Sequence, residues 1–77
     1  MYNIYENEIM DALRDGKEAH IDTIRNKIGK VAWDVDKHYD AIDSLVASND
    51  IIKVIRNRMW YKKTQVIGDH KIWQSMN

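Results

Sequence analysis

Apolar positions first recur at helical spacing. Ile4, Tyr5, Glu8, Ile9, Ala12 and Leu13 share one stripe, with Glu6, Asn7, Asp11 and Arg14 between them. This predicts a first helix that Asp15-Gly16 ends. Lys17-Glu18-Ala19 reads as a short extended link. A second helix runs from His20 to Ile28, with Ile21, Ile24 and Ile28 on its apolar side, Asp22 near its N-terminus and Gly29 as its stop. Lys30 and Val31 form a tight turn. A longer helix spans about Ala32 to Ser48, with Val35, Tyr39, Ile42, Leu45 and Val46 as its stripe, and Asn49-Asp50 closes it.

The period then changes. Ile51-Ile52-Lys53-Val54-Ile55 is rich in β-branched residues, and Met59-Trp60-Tyr61-Lys62-Lys63 answers it after Arg56-Asn57-Arg58. A two-residue turn at Asn57-Arg58 sets Ile55 opposite Trp60 and Val54 opposite Tyr61. The remaining Val66 to Trp73 fits either a further hairpin around Gly68-Asp69 or a short helix capped by Asp69. The predicted fold class is α+β: three helices followed by a β-hairpin, with a short C-terminal strand or helix. Residues 1–63 form the domain and 64–77 an extension. The surplus apolar residues of that extension, Val66, Ile67, Ile72, Trp73 and Met76, lead us to expect a homodimer.

Composition narrows the class. A chain of 77 residues makes one domain with a marginal core, and it has no cysteine to supply a disulfide or a thiolate metal site. No signal-peptide pattern or membrane-length apolar run is present, so a soluble cytoplasmic protein is expected. The net charge of +0 conceals strong segregation. Residues 34–50 carry Asp34, Asp36, Asp40, Asp43 and Asp50 against Lys37. Residues 51–63 carry Lys53, Arg56, Arg58, Lys62 and Lys63 with no acid at all.

The order helix, link, helix, tight turn, long helix, hairpin resembles the winged helix-turn-helix superfamily. Ile24-Arg25-Asn26-Lys27-Ile28-Gly29 looks like the end of a positioning helix. Ala41 through Ile52 looks like the end of a recognition helix leading into the first wing strand, and Trp60-Tyr61 resembles the aromatic often found on the returning strand. The resemblance covers residues 4–63. One departure is the turn before Ile51, where Asn49-Asp50 stands in place of the usual glycine; both residue types tolerate a left-handed conformation.

The resemblance implies duplex-DNA binding and a transcriptional regulator, with the third helix in the major groove and the wing beside the phosphates. Arg56 and Arg58 at the hairpin tip, with Lys53, Lys62 and Lys63 on the strands, suit phosphate contact. Arg25, Lys27 and Lys30 add basic groups from the second helix and turn, and Trp33 and Lys37 face the groove in this reading. The same lysines and arginines also suit the simpler task of keeping a sheet edge soluble. The third helix points elsewhere. Asp34, Asp36, Asp40 and Asp43 meet phosphate repulsion, so the alternative is a protein-binding module or inhibitor that uses these aspartates on a basic partner. Small free-standing winged helices resemble regulators and inhibitors of phage or plasmid type. Trp33 is either core beneath the first helix or an interface anchor.

Catalysis is not expected, and neither is a cofactor or metal. His20, His38 and His70 lie in three different elements, no glycine-rich phosphate loop exists, and no serine sits in a nucleophile motif. Asp34 and His38, four apart on one helix, read as an ordinary surface contact.

Overall fold

The computed structural model describes residues 1–54 and 59–64. It is a small α+β domain. The chain runs α1 (Ile4–Ala12), β1 (Ala19–His20), α2 (Ile21–Ile28), α3 (Val35–Ala47), β2 (Ile51–Lys53) and β3 (Trp60–Lys63). The strands form one antiparallel sheet in the order β1-β3-β2.

Each helix start has a local chemical reason. Asn3 caps α1 through a capping box: its side chain accepts from the Glu6 amide at 2.8 Å, and Glu6 accepts from the Asn3 amide at 2.8 Å. His20 caps α2 by accepting from the Asp22 amide through Nδ1 at 3.1 Å. Asp34 caps α3 by accepting from the Lys37 amide at 3.0 Å. That cap corrects the expected start of the third helix at Ala32. Residues 30–32 form a turn, and the Trp33 amide bonds back to the Gly29 carbonyl at 2.9 Å, so helical geometry begins only at Val35.

Gly29 ends α2 at φ 102° and ψ 146°, a region that L side chains rarely enter. A Cβ built there has no atom within 4 Å, so any cost of substitution is conformational alone. We expect Gly29→Ala to lower the unfolding free energy by about 1–3 kcal/mol, read from the urea midpoint at unchanged slope. An unshifted midpoint would show that this φ is not required. Asn49 takes the left-handed conformation at φ 65°, as expected for a residue standing where glycine is usual.

The core joins all three helices to the sheet. Ile9, Leu13, Ile24, Ile42, Leu45 and Ile51 are fully buried, with Ala12, Ala19, Ile21, Ala41 and Tyr61 around them. The α3 stripe differs from expectation at one end. Val35 is 56% exposed, while His38 and Ala41 occupy inward positions beside Ile42 and Leu45. Val35 keeps the helical phase of Tyr39 and Ile42 but lies in the first turn, before the buried stretch that begins at His38.

The sheet brings two further corrections. The link before α2 supplies a third strand, because Ala19 pairs with Tyr61 and His20 with Trp60. The hairpin register is shifted by one from expectation: Lys53 lies opposite Tyr61 and Ile52 opposite Lys62, and the Val54 amide donates to the Trp60 carbonyl at 2.8 Å. The reason is the core. The expected register places Tyr61 on the face of Ile52 and Val54, whereas the observed one places it on the buried face with Ile51 and Ala19. Met59, just before β3, takes a positive φ of 65°. The expected turn residues Asn57-Arg58, the pairing of Ile55, and the C-terminal strand or helix within 64–77 lie outside the described residues, apart from Thr64. Thr64 ties the hairpin base to the end of α3: its amide donates to Asp50 at 3.0 Å and its hydroxyl to the Asn49 carbonyl at 2.6 Å.

Candidate functional site

The outward side of α3 is acidic along its length. Helical spacing places Asp36, Asp40, Asp43 and Ala47 on one ridge, opposite the buried His38, Ala41, Ile42 and Leu45, and all four ridge residues are exposed. Asp34 is separate from this ridge, because its carboxylate is used as the helix cap. Among the described residues, Asp36, Asp40 and Asp43 form no ion pair. Asp43 faces the sheet closely enough to act on Tyr61. Burial first, then the Tyr39 hydroxyl and the Asp43 carboxylate, push the Tyr61 phenol upward.

The basic residues divide into engaged and unengaged sets. Arg25 lies 3.2 Å from Asp22, one turn back on α2. Lys27 reaches α1, where its ammonium donates to the Ala12 carbonyl at 3.0 Å and lies 3.8 Å from Asp15. It thus satisfies an orphan carbonyl at a helix C-terminus, which is a structural task. Lys37 sits 5.7 Å from the centre of the Tyr5 ring, on the side of α3 that faces α1. There it borders a groove of ≈ 330 Å³ with Asn3, Glu6, Asp40 and Ser44. Lys30 is exposed on the turn. On the hairpin, Lys53 and Lys63 are exposed and Lys62 is half-buried. Among the described residues none of these three forms an ion pair. Arg56 and Arg58 lie outside the described residues.

Between these surfaces lies a cluster that sequence reasoning missed. His38 is fully buried. Its Nε2 is 2.7 Å from Oε1 of Glu8, and its Nδ1 is 2.9 Å from the Asp34 amide nitrogen. With hydrogen on Nε2, Nε2–H donates to Glu8 and Nδ1 accepts from the Asp34 amide; Nδ1 also lies 3.0 Å from the Asp34 carbonyl oxygen, to which a hydrogen on Nδ1 would donate instead. Trp33 stacks on the imidazole at 4.5 Å with ring planes 14° apart, and Tyr5 meets it edge-on at 5.1 Å. Trp33 is therefore half-buried against the core and the ring of His38, the inward of its two expected roles. The expected surface contact between Asp34 and His38 is corrected. Their contact runs through the Asp34 backbone, inside the domain. The cluster joins α1, the turn and α3, and so fixes the N-terminal end of α3. A signal was present in the sequence: Glu8 is the one charged residue on the apolar stripe of α1.

Three carboxyls, those of exposed Asp15 and half-buried Glu6 and Asp50, are held below the usual carboxylate range. For Glu6 the Asn3 amide acts first and the Ser44 hydroxyl second. For Asp15 the leading cause is the Lys17 amide, and for Asp50 it is the Ser48 hydroxyl followed by that of Tyr2. A lowered folded-state value means stability that is complete above the unfolded value and lost as pH falls through the folded one. The melting temperature is therefore expected to hold from neutrality to roughly pH 5 and to fall below it, and Glu6→Gln is expected to flatten the fall. An identical acid profile in Glu6→Gln would remove the α1 cap from the account.

No described helix is long and apolar enough to cross a membrane. Comparison with known family models, curated proteins and solved structures finds no match to this chain.

Proposed function

We propose that this chain is a winged helix-turn-helix domain that binds duplex DNA through its basic hairpin, acting in the cytoplasm as a small transcriptional regulator. The order of three helices interleaved with strands, with β3 between β1 and β2, supports the fold reading. One observation carries the DNA reading. Lys53, Lys62 and Lys63 have no acidic partner among the described residues, whereas Arg14, Arg25 and Lys27 each have one. Segment 51–63 as a whole has five basic residues and no acid. Cations without a described acidic partner, gathered in one hairpin, are what phosphate binding with counterion release requires.

The role assigned to each element differs from the usual one. The α3 ridge carries three carboxylates, which phosphates repel, so the wing makes the DNA contact and α3 stays at the rim. Lys27 is occupied at the end of α1 and Trp33 beneath α3, so neither is assigned to DNA. The test is fluorescence anisotropy of a labelled mixed-sequence duplex at low and physiological salt. Binding that weakens steeply with salt supports the reading; no binding at low salt overturns it.

The exposed ridge of Asp36, Asp40 and Asp43 favours a second reading, a protein-binding module or inhibitor that docks α3 on a basic partner. Reversing all three charges is then expected to abolish capture of that partner. A partner retained by the triple variant would exclude the ridge as its binding surface.

A further inference from the structure

Glu6 is a half-buried carboxylate on α1 with no ion-pair partner among the described residues. Neutral donors hold it instead. The Asn3 amide donates to Oε1 at 2.8 Å, and the Ser44 hydroxyl of α3 donates to Oε2 at 2.9 Å. These two bonds, ahead of the charge of the amino terminus, keep the group ionised. Glu6 lines a groove of ≈ 330 Å³ between α1 and α3, together with Tyr5, Lys37 and Asp40. We propose that this groove receives an arginine side chain presented by a partner protein. The proposal rests on the protein-binding reading of α3 and names the group that anchors the partner there.

The groove is small. Pockets for drug-sized ligands and cofactors run from about 300 to 1,000 Å³, so this one suits a single long side chain better than a cofactor. Its lining is acidic on balance, since Glu6 and Asp40 outweigh Lys37. Asp40 also belongs to the exposed ridge, so groove and ridge form one continuous acidic surface. Donor geometry favours arginine over lysine. Each Glu6 oxygen accepts one bond already and keeps room for a second. A planar guanidinium offers paired N–H groups that match a carboxylate, and its flat face packs on an aromatic ring. Tyr5 supplies that ring, and the structure already seats a cation by it: the Lys37 ammonium is 5.7 Å from the ring centre. Lys37 nevertheless forms an ion pair with neither Glu6 nor Asp40. It is exposed, so its flexible stem can swing into solvent when a guanidinium enters.

The acceptor is fixed before any partner arrives. Glu6 is half of the α1 capping box, and its bond to Ser44 ties it across to α3. A preorganised carboxylate loses little freedom on binding, which favours affinity.

The test is an NMR titration of the full chain with the blocked tripeptide acetyl-Gly-Arg-Gly-amide, and with the same peptide carrying lysine or citrulline in place of arginine. The expected result is saturable shifts of the Tyr5, Glu6, Lys37, Asp40 and Ser44 amides with arginine, weaker binding with lysine and none with citrulline. Glu6→Gln keeps an acceptor for the α1 cap, and circular dichroism confirms its folding. It is expected to weaken the arginine peptide by about tenfold or more, the loss of hydrogen bonds to a charged group. Lys37→Gln removes the resident cation and is expected to tighten the same peptide by about two- to fivefold, a gain that no loss of folding can produce. No saturable shift with arginine, equal binding of the lysine peptide, or an unchanged affinity in either variant would overturn the proposal. Hexalysine tests the ridge reading separately. Its binding is expected to be lost in Asp36→Asn/Asp43→Asn and kept in Glu6→Gln, so a failed ridge and a failed groove are read from different variants.

Discussion

Changing Lys53, Lys62 and Lys63 together to glutamate is expected to weaken binding to a mixed-sequence duplex by about 10²–10³-fold at 0.1 M salt, with the fold intact. Each lysine that neutralises a phosphate contributes about 0.9 to the slope of log affinity against log salt, so losing three lowers the slope by about 2.7. At 0.1 M that slope alone amounts to a loss of about 500-fold, and the introduced carboxylates add repulsion. Stability is little affected, because Lys53 and Lys63 are exposed, Lys62 is only half-buried, and none has an ionic partner among the described residues. The measurement is anisotropy across a salt series, with sequence-unrelated duplexes compared. A uniform loss across sequences marks phosphate contacts, whereas a loss confined to one sequence would mean that these lysines read bases. An unchanged slope would remove the wing from the DNA account.

Truncating His38 is expected to be the most damaging single change to stability. His38→Ala removes a fully buried ring that stacks on Trp33, meets Tyr5 edge-on and bonds both Glu8 and the Asp34 amide. Large-to-alanine changes in a core cost about 2–5 kcal/mol, and stranding a part-buried carboxylate and an amide adds to the loss. The expected total is about 3–5 kcal/mol, or a fall in melting temperature of roughly 15–30 °C for a domain of this size. Glu8→Gln provides the comparison. Its amide oxygen still accepts from Nε2–H, so it is expected to cost under about 1 kcal/mol. Thermal melts of both variants decide the matter. If His38→Ala is as mild as Glu8→Gln, the ring is not part of the core. Because the cluster anchors the N-terminal end of α3, His38→Ala is also expected to disorder the ridge, visible as lost amide protection over residues 35–40.

Helix positions were readable from residue spacing alone. The stripe of Ile9, Ala12 and Leu13, and the pair Ile21 and Ile24, face the core as their period requires. Gly29 ends α2 at a φ that L side chains rarely adopt. Where the reading slipped, a longer-range contact had prevailed over a local one. Val35 fits the apolar stripe by spacing, yet it lies in the first turn, before the buried stretch that begins at His38, and is left exposed. Alternation within the hairpin is satisfied by either register, and only the demand that Tyr61 join Ile51 and Ala19 distinguishes them. Residues 17–19 carry no strand signal of their own; Ala19 becomes part of a strand because β3 passes beside it.

The candidate surfaces show the same division. The segregation of acid into 34–50 and base into 51–63 is a property of residue order, and no folding can alter it. Which of those charges are available is a property of three dimensions. Lys27 is drawn to the end of α1, fifteen residues back in the chain, while Lys53 and Lys63 remain without a described partner. Glu8 and His38 are thirty residues apart, and no local rule links a charge on one helix stripe to a histidine on another. Sequence by itself determined the helices, their stops, the change of period at Ile51 and the sign of each surface, because these depend on neighbours within a few residues. Tertiary structure decided the third strand, the hairpin register, the burial of His38 and the separation of structural cations from those without a described partner, because each depends on desolvation between segments that meet only once the core has closed.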